Sequence, residues 1–328
     1  MTENITFQSV VEALLNADQP FPARFLNRFS AIQPDDLKTL LASWSQVASN
    51  RKYSLLEDLE ALSESDTITS YDELARALLA DPESFVRALA IRLLWECEDA
   101  KLAVRFMDML ENDESVDVRA AAANALGQFI CLGELEKIPA ELLHQIEDQL
   151  FKASLPVNDR LICRRALESL GYSGRAEVIP LIASAYREKD PEWVKSALWA
   201  MGRSFDERWK PEVLTQLRAP DEDIRAEAVH AAGELELASA RPLLLDMLED
   251  EDDPEMRREI IWALSRIGGE GIRAKFEELL EIEEDDEEVE FIEEAIDTLS
   301  FTEDMGSFSL IDLDPTVDFV EEEPDDRG

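Results

Sequence analysis

Apolar residues along this chain recur at i, i+3, i+4 and i+7, which places them on one face of an α-helix, and strand-like alternation is absent. The helical pattern itself repeats. Ser115-Val116-Asp117-Val118-Arg119-Ala120-Ala121-Ala122-Ala123-Asn124-Ala125-Leu126-Gly127 runs in register with Glu222-Asp223-Ile224-Arg225-Ala226-Glu227-Ala228-Val229-His230-Ala231-Ala232-Gly233. Each has an aliphatic residue, then Arg, then Ala three and six residues later and Gly eight later. Related copies contain Val86-Arg87 and Ala90, Val194 with Ala197, Ala200 and Gly202, and Met256-Arg257 with Ala263-Leu264 and Gly268. The closing positions Trp95, Gly127, Gly171, Gly202, Gly233 and Ser265 are separated by 32, 44, 31, 31 and 32 residues. A period this short predicts stacked helical hairpins, with an insertion of about a dozen residues around Leu135 to Leu150 in the second copy.

Each unit reads as two helices. First helices open with Asp-Pro-Glu at Asp81, Asp190 and Asp253. There Asp can cap free N–H groups, Pro loses no bond, and Glu suits the positive end of the dipole. Second helices are predicted near Leu102–Leu110, Val178–Tyr186, Pro211–Leu217, Pro242–Leu248 and Ile272–Leu280. Alanines 122, 125, 228 and 231 leave room for a neighbouring helix, and the glycine beyond them is expected to turn the chain into the second helix. Thr6 to Ala80 also reads as helical, with Pro34-Asp35-Asp36 opening one helix and a capping box at Ser70-Tyr71-Asp72-Glu73. Arg51 followed by Leu55, Leu56 and Leu59 suggests degenerate early repeats. Residues 281–299 are expected to form one last acidic hairpin, and from Glu303 to Gly328 ten acids, two prolines and one arginine predict a disordered tail. The fold class is therefore all-α, a right-handed α-solenoid with a helical N-terminal cap (1–80), a repeat array (81–300) and an acidic disordered tail (301–328).

The aliphatic-Arg-x-x-Ala-x-x-Ala-Leu-Gly register, with its Asp-Pro-Glu lead and period near 31, resembles HEAT repeats, specifically the short variety first associated with phycobilisome lyases. The resemblance spans residues 81–300 and implies a scaffold or adaptor. Enzymatic relatives offer tests. Deoxyhypusine hydroxylases are implied to bind iron through His-Glu pairs, and this chain has only His144-Gln145 and His230-Ala231. The HEAT-like DNA glycosylases are implied to need a basic groove, which a chain with 74 Asp+Glu against 32 Lys+Arg does not favour.

That net charge of −42 argues against nucleic acid and anionic membranes as partners and for a protein with a basic surface. Acid concentrates at the C-terminal end, where residues 246–328 hold 32 acids and 6 bases. Three cysteines, Cys97, Cys131 and Cys163, lie more than thirty residues apart, which fits neither a disulfide framework nor a zinc site and points to a reducing, cytoplasmic setting. No apolar run approaches the roughly 18 residues of a membrane span. A lone His230 and cysteines in helical surroundings suggest packing, so neither a catalytic residue nor a metal or other cofactor is expected. Gly268-Gly269-Glu270-Gly271 lacks the strand and Lys-Ser/Thr of a phosphate loop and falls where the repeat turns. Arg87, Arg119, Arg225 and Arg257 are expected to make inter-repeat ion pairs and caps.

Two features stand out as partner-binding candidates. One is the aromatic-rich fourth unit, in which Trp193 and Trp209, expected to be partly exposed, flank core Trp199 beside Phe205, Arg203 and Arg208. The other is the tail, where Phe308, Leu310, Ile311, Leu313 and Phe319 interleave with acid as in segments that fold on binding. The function expected is a non-enzymatic protein-interaction scaffold or adaptor. The alternative is a lyase-type or other enzyme-associated subunit that modifies a bilin or a protein side chain.

Overall fold

A computed structural model describes residues 6–65 and 68–309, with side chains for 6–64 and 68–302. Among the described residues there is no strand, and no helix is long and apolar enough to cross a membrane. The chain divides into two compact units, Met1–Asp206 and Glu207–Gly328.

The first unit contains α1 (Phe7–Leu15), α2 (Pro34–Trp44), α3 (Ser49–Ser65), α4 (Asp72–Leu78), α5 (Ser84–Arg92), α6 (Ala100–Asn112), α7 (Val116–Glu134), α8 (Ala140–Ala153), α9 (Arg160–Leu170), α10 (Val178–Tyr186) and α11 (Pro191–Arg203). The second contains α12 (Lys210–Gln216), α13 (Glu222–Glu234), α14 (Arg241–Asp250), α15 (Pro254–Ile267), α16 (Ile272–Ile282) and α17 (Asp286–Ser309). Within the first unit the odd-numbered helices α3 to α11 pack one on the next, and within the second α13, α15 and α17 do the same. Each second helix from α4 to α16 also packs on the first helix that follows it. Such layering buries faces that no single hairpin could bury alone. Residues 286–309 form one helix, so the closing pair is α16 with α17, and the hairpin expected within 281–299 does not form. That helix continues past the expected tail boundary at 301.

The helix starts follow the sequence logic. Asp159, Asp190, Asp221 and Asp253 each accept a hydrogen bond from a first-turn backbone N–H, a contact worth about 1 kcal/mol per helix. The capping box at Ser70 is absent. Tyr71 holds the cap position without a side-chain bond, and Ser70 Oγ donates instead to Asp72 Oδ1 at 3.3 Å. Asp81 does not cap as expected: α5 starts at Ser84 with Glu83 at the cap position and no side-chain bond, and the buried Asp81 carboxylate instead accepts from Trp44 Nε1 (2.7 Å) and from the Glu83 N–H (2.8 Å). Buried Lys52 pairs with Glu83 and lies 5.2 Å from the Trp44 ring centroid, so charge-assisted bonds tie α2 and α3 to the first Asp-Pro-Glu lead.

Two sequence expectations change. Gly127, Gly202 and Gly233 lie inside α7, α11 and α13, so they do not turn the chain. Their register marks a close approach between helices. A Cβ on Gly127 would fall 2.9 Å from Ser169 Oγ, and one on Gly233 would fall 2.7 Å from the Trp262 ring and 2.9 Å from Ala263 Cα. The second change concerns the insertion near Leu135. Gly133-Glu134-Leu135-Glu136 closes α7 as Gly233-Glu234-Leu235-Glu236 closes α13, with Glu136 (φ 58°) and Glu236 (φ 48°) both left-handed. In each, the Glu N–H bonds back to the glycine carbonyl, at 2.9 Å for Glu136 and 3.0 Å for Glu236. The extra residues lengthen the helices themselves, α7 to 19 residues against 13 in α13 and α8 to 14 against 10 in α14. A helix absorbs them without a loop because each added residue brings its own hydrogen bond.

Candidate functional site

Polar side chains that could do chemistry are held in structural bonds. His144 Nδ1 lies 3.2 Å from Glu147 Oε2, and Ser173 Oγ donates to Glu147 Oε1. This places the carboxylate between serine and imidazole, whereas nucleophile activation requires the imidazole between hydroxyl and acid. His230 stacks on Trp262 with ring centroids 4.7 Å apart and planes 7° from parallel, while its Nδ1 lies 2.9 Å from Glu259 Oε1. Burial, then the neighbouring Asp72, pushes the Cys97 thiol up, and burial with Asp159 does the same to Cys163. Both sit away from the thiolate form that a nucleophile needs. Among the described residues, no group of three His, Cys, Asp or Glu side chains is placed to hold a metal ion.

The recurrent arginines act in two ways. Arg87 grips Asp113 through Nε and Nη2, both at 2.8 Å, and Arg257 Nη2 reaches Glu283 at 3.4 Å. Backbone carbonyls also accept from these arginines: Arg119 Nε donates to Leu110 O in the last turn of α6 (2.8 Å), and Arg225 Nη1 donates to Ala219 O in the segment before α13 (3.0 Å), as Arg87 Nη1 does to Asp81 O (2.8 Å). These bonds satisfy orphan carbonyls and stiffen the stack.

The aromatic candidates separate. Trp193 on α11 is half-buried. Trp199 is also half-buried, where core was expected, and Arg203 stacks over it and over Tyr172, 4.8 Å from each ring centroid. Trp209 is only 5% exposed, so it offers no contact surface. It falls in a 3-10 turn opening the second unit, and a turn in sequence did not mean solvent there. Arg208 is exposed beside it. Phe205 is the exposed aromatic, 64% accessible and in a left-handed conformation at φ 48°. The structure thus joins Arg203 with Trp199 and does not assemble Trp193, Arg203, Arg208 and Trp209 into one patch within either unit. Of the tail candidates, Leu310, Ile311, Leu313 and Phe319 lie outside the described residues, as does the side chain of Phe308.

Sequence reasoning missed the grooves between consecutive second helices. In the first unit α6 and α8 enclose about 510 Å³ lined by Val104, Met107, Asp108, Glu111, Asp148 and Lys152, with Val104 57% exposed. In the second, α12 and α14 flank an open groove of about 370 Å³ lined by Leu217, Leu243 and Met247, with three acids, Asp246, Asp250 and Glu251, against Arg218 and Arg225. Both present a methionine among carboxylates. Methionine adapts to varied apolar ligands, and the acids favour a cationic one. The available signal was Val104, Met107, Asp108 and Glu111 at i, i+3, i+4 and i+7, a mixed stripe outside the helix's buried face.

The profile of the HEAT-repeat family matches residues 71–149 and 210–299, together just over half of the chain. Over 104 residues the chain is 31% identical to an epoxyqueuosine reductase of Bacillus cereus, which covers 30% of this chain and 27% of the reductase. The chain thus spans about a quarter of the length of that relative. Among solved structures, the Escherichia coli protein YibA is 18% identical with a TM-score of 0.42, covering 87% of this chain and 98% of that one. Human deoxyhypusine hydroxylase in complex with glycerol is 18% identical with a TM-score of 0.34, covering 80% of this chain and 95% of that one.

Proposed function

Because the chain belongs to the HEAT-repeat family, we propose that it acts as a non-enzymatic scaffold or adaptor whose second-helix grooves receive a partner segment. The segment is amphipathic, with apolar side chains against Val104 and Met107, or Leu243 and Met247, and Lys or Arg against the flanking acids. The observation that supports this reading is the recurrence of a half-buried methionine beside carboxylates in the grooves of both units. Attraction from a chain at −42 speeds encounter with a basic partner, and the apolar contacts supply selectivity.

Affinity capture from the source lysate with the full chain tests it, at low and about half-molar salt, beside Met107→Glu and Met247→Glu. A basic protein retained by the wild type, weakened by salt and reduced at least several-fold by one of the two substitutions is the expected result. Equal retention by all three proteins would remove the grooves from the binding surface. A second reading, favoured by the likeness to a reductase over 104 residues, is a repeat module that works alongside a modifying enzyme. A chromophore or modified product accompanying the purified chain would favour that reading.

A further inference from the structure

Five first helices carry a cation at their fourth residue, and in three of them it has a carboxylate partner. Lys52 of α3 pairs with Glu83, Arg87 of α5 with Asp113, and Arg257 of α15 with Glu283. The two arginine pairs span 26 residues. Counting the same distance from Arg225 of α13 reaches Glu251, and those two residues line one groove. From Arg119 of α7, 26 residues on is Gln145, because α7 and α8 are the lengthened helices, and the acid before the next first helix, Asp159, lies 40 residues away, where it caps Leu161 N.

Arg119 consequently bonds only through Nε, to Leu110 O, and among the described residues its two Nη groups have no protein partner. The Nε bond fixes the guanidinium plane, and the residue is half-buried. It lines a pocket of about 160 Å³ with Leu110, Glu111, Gln149, Lys152 and Asn158. The carboxylate present, Glu111, is engaged by Lys152 at 2.6 Å. Gln149 Nε2 is turned to Met107 O, and Asn158 Nδ2 donates to Lys152 O and Ala153 O. Arg119 is therefore an oriented guanidinium fork beside the Lys152–Glu111 ion pair, which leaves the pocket with a net positive charge on a chain whose net charge is −42.

We propose that this pocket is an oxyanion-binding subsite, and that its ligand is a carboxylate presented by another molecule in the place that Asp113 occupies on Arg87. Arginine's planar fork matches a carboxylate in two parallel bonds, as Arg87 demonstrates in the same protein. The pocket volume accommodates a carboxylate or phosphate group. The pocket at Arg225 sets Asp246, Asp250 and Glu251 against Arg218 and Arg225, a net negative charge that disfavours an anion. This inference goes beyond the adaptor reading, because a small anion can bind whether or not a protein partner exists.

The test follows the arginine side-chain Nε–H resonances of the full chain by nuclear magnetic resonance during titration with sodium acetate, inorganic phosphate or a blocked Gly-Asp-Gly peptide. Sodium chloride at matched ionic strength is the reference. The Arg119 resonance is expected to shift saturably below about 50 mM oxyanion, with Arg225 unmoved. Lys152→Gln, which leaves the Arg119–Leu110 bond in place, is expected to weaken binding at least threefold. Phosphate saturating more than tenfold below the peptide would identify a free oxyanion as the natural source, and a peptide at least as tight as phosphate would identify a chain carboxylate. No saturable shift at Arg119, or equal shifts at Arg119 and Arg225, overturns the proposal. Loss of capture of a basic protein by the groove variants bears only on the adaptor reading, so the two can fail separately.

Discussion

The α7/α8 repeat of the first unit and the α13/α14 repeat of the second end their first helices in the same turn, yet differ by six residues in the first helix and four in the second. Both bury the small-residue face of their first helix, and both place an arginine in its first turn. What differs is the charge around that arginine, which is the Lys152–Glu111 pair in one and Arg218 with Asp246, Asp250 and Glu251 in the other. Lengthening a hairpin by whole stretches of helix leaves the stacking intact because the buried face repeats along it. The groove is more sensitive, since it depends on which exposed side chain arrives opposite a fixed cation. The difference teaches that packing and surface chemistry respond to helix length separately.

The largest effect expected concerns the arginine pair itself. Arg87 and Asp113 are 11% and 10% exposed, so Asp113→Asn or Arg87→Gln should cost about 3 kcal/mol at neutral pH, while Arg119→Gln should cost under about 1 kcal/mol. Urea denaturation at pH 7 checks both, and equal losses would erase the distinction between closed and open copies. The pH dependence has a defined sign. Burial alone would raise the Asp113 carboxyl, but the Arg87 bonds and the Ser115 N–H hold it below the ordinary carboxylate range. A group depressed on folding contributes stability that is present above its unfolded pKa, near 4, and lost as pH falls through its folded value. The gap between wild type and Asp113→Asn should therefore narrow steadily below about pH 4.

Next in size is the pair of close approaches. Gly233→Ala drives a methyl towards Ala263 Cα and the Trp262 ring, and should destabilise by about 1–3 kcal/mol. Gly127→Ala meets the Ser169 hydroxyl, whose bond to Ala123 O (2.8 Å) it disturbs. Helix propensity returns up to about 1 kcal/mol there, so the net change should stay within about 1 kcal/mol. Thermal unfolding of the two variants would sharpen the contrast, and a larger loss at Gly127 would reverse it. The smallest effect tests the shared turn. Replacing left-handed Glu136 or Glu236 by Gly should stabilise each unit by about 0.5–1 kcal/mol, and opposite signs would show that the turns differ.

Much of this architecture is legible in the sequence. Helical period, repeat length and the Asp-led helix starts follow from local rules, and Asp190 and Asp253 cap as their Asp-Pro-Glu context predicts. The ionic role of Arg87 and Arg257 was also readable, because charge in register needs only an opposite charge one repeat away. The candidate surface was much less legible. Trp209 reads like an exposed anchor and is buried, while Phe205, in the same stretch, is exposed. The grooves escaped notice because each is lined by two helices more than thirty residues apart in the chain, and no single helix shows what its neighbour presents.

The sequence by itself determined an all-helical chain of repeats, the faces those helices bury and the strong acidity of the whole, since these depend on periodicity and composition. Tertiary structure alone decided that Gly127 and Gly233 serve helix contact, that Asp81 and Lys52 join the N-terminal helices to the array, and that Arg119 sits beside the Lys152–Glu111 pair where Arg225 sits among a majority of acids. The physical reason is range. Helix formation and capping act within about four residues, whereas a packed contact or a paired charge is set by whichever side chain distant helices bring within a few ångströms.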